Sequence, residues 1–264
     1  MTDTIDFADP FFTHDGYRRL LNTALSNGYT FVDYATVIAA AGEGRNDLQC
    51  VVRHDCDNDL IASRDLACIE AELGIRATYF LFLRSALYNP FSQPNRSLID
   101  QIVARGHWLG LHFDEQAYPG ADAAQVAEMV DAEREWMKRE FGTEVTVMSF
   151  HQPSQRVLQN QLKINCLNTY DCADMSGIFY ISDSNKNWKN QDPAELFRSR
   201  AHPRIQLLTH PEWWTPAPVS ILENWQTMFR HQFELSQDQA LERELSYTRP
   251  HRLRFEPTEL PSGS

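Results

Sequence analysis

The chain has 264 residues, 42% of them hydrophobic, and a formal net charge of −12. That allows a sizeable core in one large domain or two small ones, and the acidic balance argues against nucleic acid or an anionic membrane surface as the main partner. No apolar run has the length of a transmembrane helix, the start (Met1-Thr2-Asp3-Thr4-Ile5-Asp6) lacks the basic and apolar regions of a signal peptide, and five cysteines without a CxxC pair fit a reduced, cytoplasmic protein.

In chain order, residues 1–48 are expected as a lead-in packed on the main domain. It holds a helix over 16–27 (Tyr17, Leu20, Leu21 and Leu25 on one face), a short strand over 28–32 and a loop over 41–46. His14, in a Thr-His-Asp-Gly turn, has no assigned role. From residue 49, strands and helices alternate. Val51-Val52 run into Arg53-His54-Asp55-Cys56-Asp57, and a helix follows to Leu73, stopped at Gly74. If strand pairing persists to 57, Asp55 and Asp57 face the same side. Further strands are expected over 77–83, 107–113, 145–150, 165–169, 178–182 and 205–209. Helices are expected from a Ser97 cap to Arg105, over 123–140, from Asp192-Pro193-Ala194-Glu195 with a capping box, and over 219–244. Residues 246–264 are expected as a polar tail, leaving 49–245 as the main domain. Repeated βα units imply a parallel sheet, open or closed into a barrel.

Polar groups follow the apolar strands: Asp55 and Asp57, His112 and Asp114, His151, Asp183, and His210. In α/β barrels and open sheets the active site lies at the carboxyl ends of the strands, so these residues are expected to converge. Carboxylates beside imidazoles can hold a divalent cation and leave one carboxylate as a base. Each residue also has a structural reading. Asp57 or Asp59 can cap the helix, His112 can be a hydrogen-bonded core histidine, His151 a loop residue before proline, and His210 a surface histidine. Cys56 reads as packing, and His107, at the strand start and opposite in parity to His112, as structural.

Arg53-His54-Asp55-Cys56-Asp57 resembles the first motif of polysaccharide deacetylases of the NodB-homology type (carbohydrate esterase family 4), in the Arg-His-Asp-Val-Asp form of the WbmS-like branch. Gly74-Ile75-Arg76-Ala77-Thr78-Tyr79-Phe80 matches that branch's second strand. Gly106-His107-Trp108-Leu109-Gly110-Leu111-His112 is similar to the second motif, Phe150-His151-Gln152-Pro153 lies where the third has Phe-Arg-x-Pro, and Tyr180-Ile181-Ser182-Asp183-Ser184 with Trp188 lies in the fourth. Leu207-Leu208-Thr209-His210-Pro211-Glu212-Trp213-Trp214 resembles the fifth.

The resemblance implies a distorted (β/α) barrel and a divalent metal, usually zinc. It also implies metal-assisted hydrolysis of an N-acetyl or O-acetyl group on a nucleotide- or lipid-linked sugar in surface polysaccharide (O-antigen type) assembly. Carried onto this chain, Asp55 is the expected base and His210 the expected acid, facing a substrate from opposite sides if the sheet closes, with Asp57 and His112 as metal ligands. Asp55 and Asp57 can also exchange roles. The family's second metal histidine falls at Gln116, a poor zinc ligand, so His151 is the first choice for the third position and Asp114 the second. Asp183, Trp213 and Trp214 are expected to touch the sugar. The alternatives are a metal-dependent amidohydrolase acting on a small non-sugar amide and a non-catalytic carbohydrate-binding relative.

Overall fold

Thr13 begins the first element of this computed structural model, which describes residues 10–244. The tail expected over 246–264 lies outside the described residues. Thr13 accepts from the Gly16 amide and caps α1 (His14–Ser26), whose Tyr17, Leu20, Leu21 and Ala24 are buried. β1 (Thr30–Phe31) follows, and then a helix where no element was expected, α2 (Tyr34–Gly42), capped by Asp33. Its alanine-rich run is apolar nearly all round, so no amphipathic period announces it, and the expected loop is confined to the residues after it.

The alternating part is β2 (Gln49–Cys56), α3 (Leu60–Glu72), β3 (Thr78–Phe82), α4 (Gln93–Ala104), β4 (Trp108–Phe113), α5 (Ala123–Phe141), β5 (Val147–Phe150), α6 (Gln155–Leu158), β6 (Leu167–Asn168), β7 (Phe179–Ser182), α7 (Pro193–Ser199), β8 (Arg204–Thr209) and α8 (Ile221–Arg243). α4 starts at a Ser92 cap with Pro94 in its first turn, ahead of the expected Ser97. Proline suits that turn because its missing N–H costs no helical bond there. At α7 Asp192 accepts from the Ala194 and Glu195 amides, while the Glu195 side chain pairs with Arg198 instead of closing a capping box.

Every strand pairing is parallel, in the order β6-β5-β4-β3-β2-β8-β7, with β1 added alongside the start of β2. The outer strands β6 and β7 are not paired, so the barrel is distorted and open along one seam. All carboxyl ends lie on one rim.

Two cores hold the sheet. The larger one packs α1, α3, α4 and α5 on its outer face, through residues such as Leu66, Ile99, Ile102, Val126 and Val130. The smaller one lies inside the curve, where Tyr34 and Val37 of α2 meet Val51, Phe80 and Val147. α2 therefore closes the amino-terminal end of the barrel, and the Tyr34 hydroxyl donates to Gln206 Oε1 at 2.8 Å. Gly110 makes this inner packing possible. A Cβ there would stand 2.6 Å from the Phe80 ring, which lies across the neighbouring strand.

Candidate active site

β2 divides its polar side chains by parity. His54 points outward, where its Nε2 lies 2.6 Å from Glu70 Oε1 and its Nδ1 lies 2.7 Å from Thr209 Oγ1. Glu70 also accepts from the Tyr17 and Tyr79 hydroxyls at 2.5 and 2.7 Å. His107 joins the same outer layer, with Nδ1 accepting from the Ala77 amide and Nε2 bonded to Ala67 O. These groups tie α1 and α3 to the sheet and stand apart from the rim.

Arg53 and Asp55 point inward. The guanidinium donates to both carboxylate oxygens, Nε to Oδ1 at 2.7 Å and NH2 to Oδ2 at 2.8 Å, and NH1 donates to Thr169 Oγ1 at 3.0 Å. The Phe80 and Tyr170 rings flank it, with centroids 5.3 and 5.4 Å from Cζ. Burial favours the neutral Asp55 carboxyl, but Arg53 and His112 outweigh it and hold the group below its ordinary range. Arg53 was read only as a motif letter; its spacing of two from Asp55 on a buried strand was the signal for this pair.

β2 ends at Cys56, yet Asp57 still reaches the same cavity as Asp55. The turn is pinned by Tyr88, whose hydroxyl donates to Cys56 O, and by Ser85 Oγ, which donates to Asp57 O at 2.8 Å. Asp59 caps α3, accepting from the Ile61 and Ala62 amides, which frees Asp57 from that duty. Cys56 is fully buried, and burial pushes its thiol well up, so it packs as a thiol.

The cavity measures about 500 Å³ and opens on the rim. His112 Nε2 lies 3.1 Å from Asp57 Oδ1 and 3.5 Å from Asp55 Oδ2, and its Nδ1 lies 2.6 Å from Ser149 Oγ. His151 stacks on Phe82 at 4.2 Å and stands edge-on to His112 at 5.4 Å, centroid to centroid. Burial lowers its pKa, giving a neutral imidazole. The next residue, Gln152, holds φ at +46°, a strained value at the turn that presents His151. Asp114 accepts from the Gln116 amide at 3.0 Å, and the Gln116 side chain lies exposed against Gln152; neither lines the cavity.

His210 follows β8, which pairs directly with β2. Asp55 and His210 therefore stand on neighbouring strands, although they belong to the first and last motifs of the series. Asp183 Oδ1 lies 2.7 Å from His210 Nδ1, and both its oxygens accept from the His210 amide. Burial opposes the charged imidazole, but Asp183 and then Asp57 push His210 up to about 10. His210 Nε2 faces Asp57 Oδ2 at 3.9 Å. Asp57, in turn, is lowered although burial favours its neutral form, because His112, His210 and His151 surround it.

Two expected substrate contacts are not brought to the cavity. Asp183 is fully buried behind His210, and Trp214 is buried among Phe11, Phe12 and Tyr17 with Nε1 donating to Asp183 Oδ2 at 2.9 Å. Both build the mount for the imidazole, because a buried carboxylate needs the donors that His210 and Trp214 supply. Trp213 does line the cavity, with Glu212, Asn58, Tyr180 and Trp225. Glu212, unassigned from sequence, is buried; that burial, and then Asp57, pushes its carboxyl up to about 8.

The donor set meets a divalent cation in part. Asp57 Oδ1 is buried with no hydrogen-bond partner among the described residues. A lone pair on His112 Nε2 facing two carboxylates requires either a proton on that nitrogen or a cation between them, and donation from Nδ1–H to Ser149 would leave that lone pair in place. Two donors 3.1 Å apart suit a shared ion with bonds of about 2.0–2.2 Å. No group of three or more His, Cys, Asp or Glu among the described residues has metal-cluster geometry, so the third donor is not in place.

No family model matches the chain, and no curated protein matches it. Similar solved structures include a wild-type CE4 family pseudoenzyme from Bacillus anthracis, at 14% identity over 72% of this chain and 62% of that one, TM-score 0.42. The chitin deacetylase from the fungal pathogen Colletotrichum lindemuthianum is 15% identical over 69% and 81% of the two chains, TM-score 0.42. The Streptococcus pyogenes deacetylase PplD in complex with acetate is 11% identical over 71% and 86%, TM-score 0.46. A mutant of the pseudoenzyme with restored enzymatic activity is covered over 64% of its length, so the chain spans less than two thirds of either form. The fold described above stands on its own strand order and register, independently of these likenesses.

Proposed function

We propose that the protein is a metal-dependent hydrolase that removes an acetyl group from an N- or O-acetylated sugar. The single observation that carries this reading is the convergence of Asp55, Asp57, His151 and His210 on one rim cavity, with buried His112 placing its Nε2 3.1 Å from Asp57 Oδ1. Asp57 and His112 would hold a divalent ion, zinc by donor chemistry, and His151 would complete the set as a neutral imidazole. Such an ion supplies Lewis acidity, activating water and polarising an acyl oxygen. The chain's own groups do the proton work. Asp55, fixed by Arg53, stays ionised and receives a proton. His210, fixed by Asp183, stays protonated at neutral pH and can donate to the departing amine or alcohol. A nucleotide- or lipid-linked sugar of surface polysaccharide assembly is the proposed setting. Among the described residues no helix is long and apolar enough to cross a membrane.

The test is acetate release from a panel of N- and O-acetylated sugars by zinc-loaded protein, with and without chelator. No release from any of them would refute the reading. A second reading, a non-catalytic carbohydrate-binding protein, is favoured by the donor set stopping short of three; it is separated by metal content. For the catalytic reading, Asp57→Ala and His112→Ala should each lower zinc occupancy at least tenfold, His151→Ala should weaken it, and Gln116→Ala and His107→Ala should leave it near wild type. Elemental analysis of the five dialysed variants decides. Full occupancy in both Asp57→Ala and His112→Ala would remove the assignment, and loss in Gln116→Ala but not His151→Ala would reassign the third ligand.

A further inference from the structure

The outward face of β2 carries a polar cluster that the hydrolytic chemistry leaves unused. Tyr17, His54, Glu70, Tyr79 and Thr209 are each 0% exposed. Glu70 of α3 is its centre, accepting from the Tyr17 and Tyr79 hydroxyls, with His54 Nε2 at 2.6 Å. Burying a carboxylate is costly, and packed apolar side chains often replace such a cluster with no loss of stability. Docking α1 and α3 on the sheet therefore does not by itself require these groups. What apolar packing lacks is direction, and every bond of this cluster has one.

Two routes lead from Glu70 to His210. The first crosses the sheet. Pairing of β2 with β8 ends at His54 and Thr209, while β2 stays paired with β3 to Cys56. The two strands therefore part at the rung just before Asp55 and His210. His54 Nδ1 lies 2.7 Å from Thr209 Oγ1 across that rung. The hydroxyl can donate to a neutral ring or accept from a charged one, so the link holds in either state. The second route runs through α1. Tyr17, bonded to Glu70 by its hydroxyl, sets its ring 5.0 Å from that of Trp214, centroid to centroid. Trp214 Nε1 donates to Asp183 Oδ2, and Asp183 Oδ1 lies 2.7 Å from His210 Nδ1. His210 is thus supported by the strand behind it and by the carboxylate beside it, and both supports lead back to one buried side chain.

We propose that Glu70, acting through Tyr17, His54 and Thr209, positions the His210 imidazole from the far side of the sheet. None of these four residues lines the cavity, so they are positioning residues and reach the reaction only through His210. The proposal rests on the deacetylase reading for what the imidazole does, while the placement of the imidazole is testable without it. A cluster that only docked the helices would loosen the whole sheet when one of its hydroxyls is removed. A cluster that positions His210 would loosen the Asp183 mount first.

Tyr17→Phe and Thr209→Val each remove one hydroxyl and keep the packing, and Thr209→Ser keeps the hydroxyl. One arm of the test needs no activity. The His210 amide and the Trp214 indole N–H both donate to Asp183, and their hydrogen exchange is read by NMR on the full chain. Tyr17→Phe and Thr209→Val should each raise exchange at these two protons about tenfold relative to the amides of β3 and β4, and Thr209→Ser should stay near wild type. The other arm is acetate release by zinc-loaded protein, where kcat should fall about tenfold in the same two variants with KM within about twofold of wild type. If the wild type releases no acetate, the catalytic reading fails and the exchange arm alone decides this one. Exchange unmoved at both protons in both variants overturns the proposal. An equal rise throughout β3 and β4 also overturns it, and would make the cluster a dock for α1 and α3 and nothing more. In an active enzyme, wild-type kcat in both variants overturns it as well.

Discussion

Zinc-loaded Asp55→Asn and His210→Ala proteins are expected to release acetate about 10²–10⁴-fold more slowly than wild type while keeping their metal. Both positions act on protons, so kcat should fall far more than KM rises. The sign of the pH dependence follows from the site. Asp55 lies below the ordinary carboxylate range, so it is ionised, and able to accept, at any pH above that range. His210, pushed up to about 10, is protonated through neutrality and loses its proton only as pH rises past that value. The rate profile should therefore have its alkaline limb high, and His210→Ala should flatten that limb. Asp183→Asn should displace the limb downward, because the carboxylate at 2.7 Å is the main group raising His210. Near wild-type turnover in both Asp55→Asn and His210→Ala, with metal bound, would show that other residues carry the chemistry.

Arg53→Leu is expected to be the most destabilising single change in the barrel interior. It leaves the Asp55 carboxylate buried without its bidentate partner, which costs about 3–5 kcal/mol. In a chain of this size that is roughly 2–4 °C in Tm per kcal/mol. Replacing the pair together, Arg53→Met with Asp55→Leu, should recover most of the loss, since buried ion pairs often break even with packed apolar groups. The wild-type pair has a depressed Asp55 pKa, so its contribution is present above the unfolded carboxylate value and is lost as pH falls through the folded one. In Arg53→Leu, only His112 still opposes burial, so Asp55 takes up a proton more readily in the folded state. The Tm gap between wild type and Arg53→Leu should therefore be wide at pH 7 and narrow on acidification. An equal gap at pH 7 and pH 4, by scanning calorimetry, would mean that Arg53 stabilises the fold by packing alone.

The rim was legible because the two signals that define it are local. Short apolar strands read by composition, and each polar group that follows one reads by position. What escaped depends on the path of the chain in space. α2 hides in an alanine-rich run with no polar face. β8 lies beside β2 although some 150 residues separate them, a neighbourhood that motif order does not reveal. Tyr88, which bridges the ends of β2 and β3, stands in a connection with no period to read. Trp225 enters the cavity from a helix that crosses the rim after the last strand, and nothing in its own neighbourhood marks that destination. Asp183 and Trp214 were read as groups meeting a ligand and instead brace His210, because burial cannot be seen from a motif.

The helix lodged under the barrel has a kinetic consequence. With Tyr34 and Val37 packed on Val51, Phe80 and Val147, the amino-terminal end is filled by side chains, and traffic to the cavity runs through the rim. In the proposed reaction the acyl end of the substrate points inward to Asp57 and the remainder occupies the neck. The larger product must then leave before acetate can, and acetate is left sitting where the next substrate has to arrive. Initial rates measured with added acetate should show competition with the acetylated sugar, and the de-acetylated sugar should inhibit in a mixed pattern.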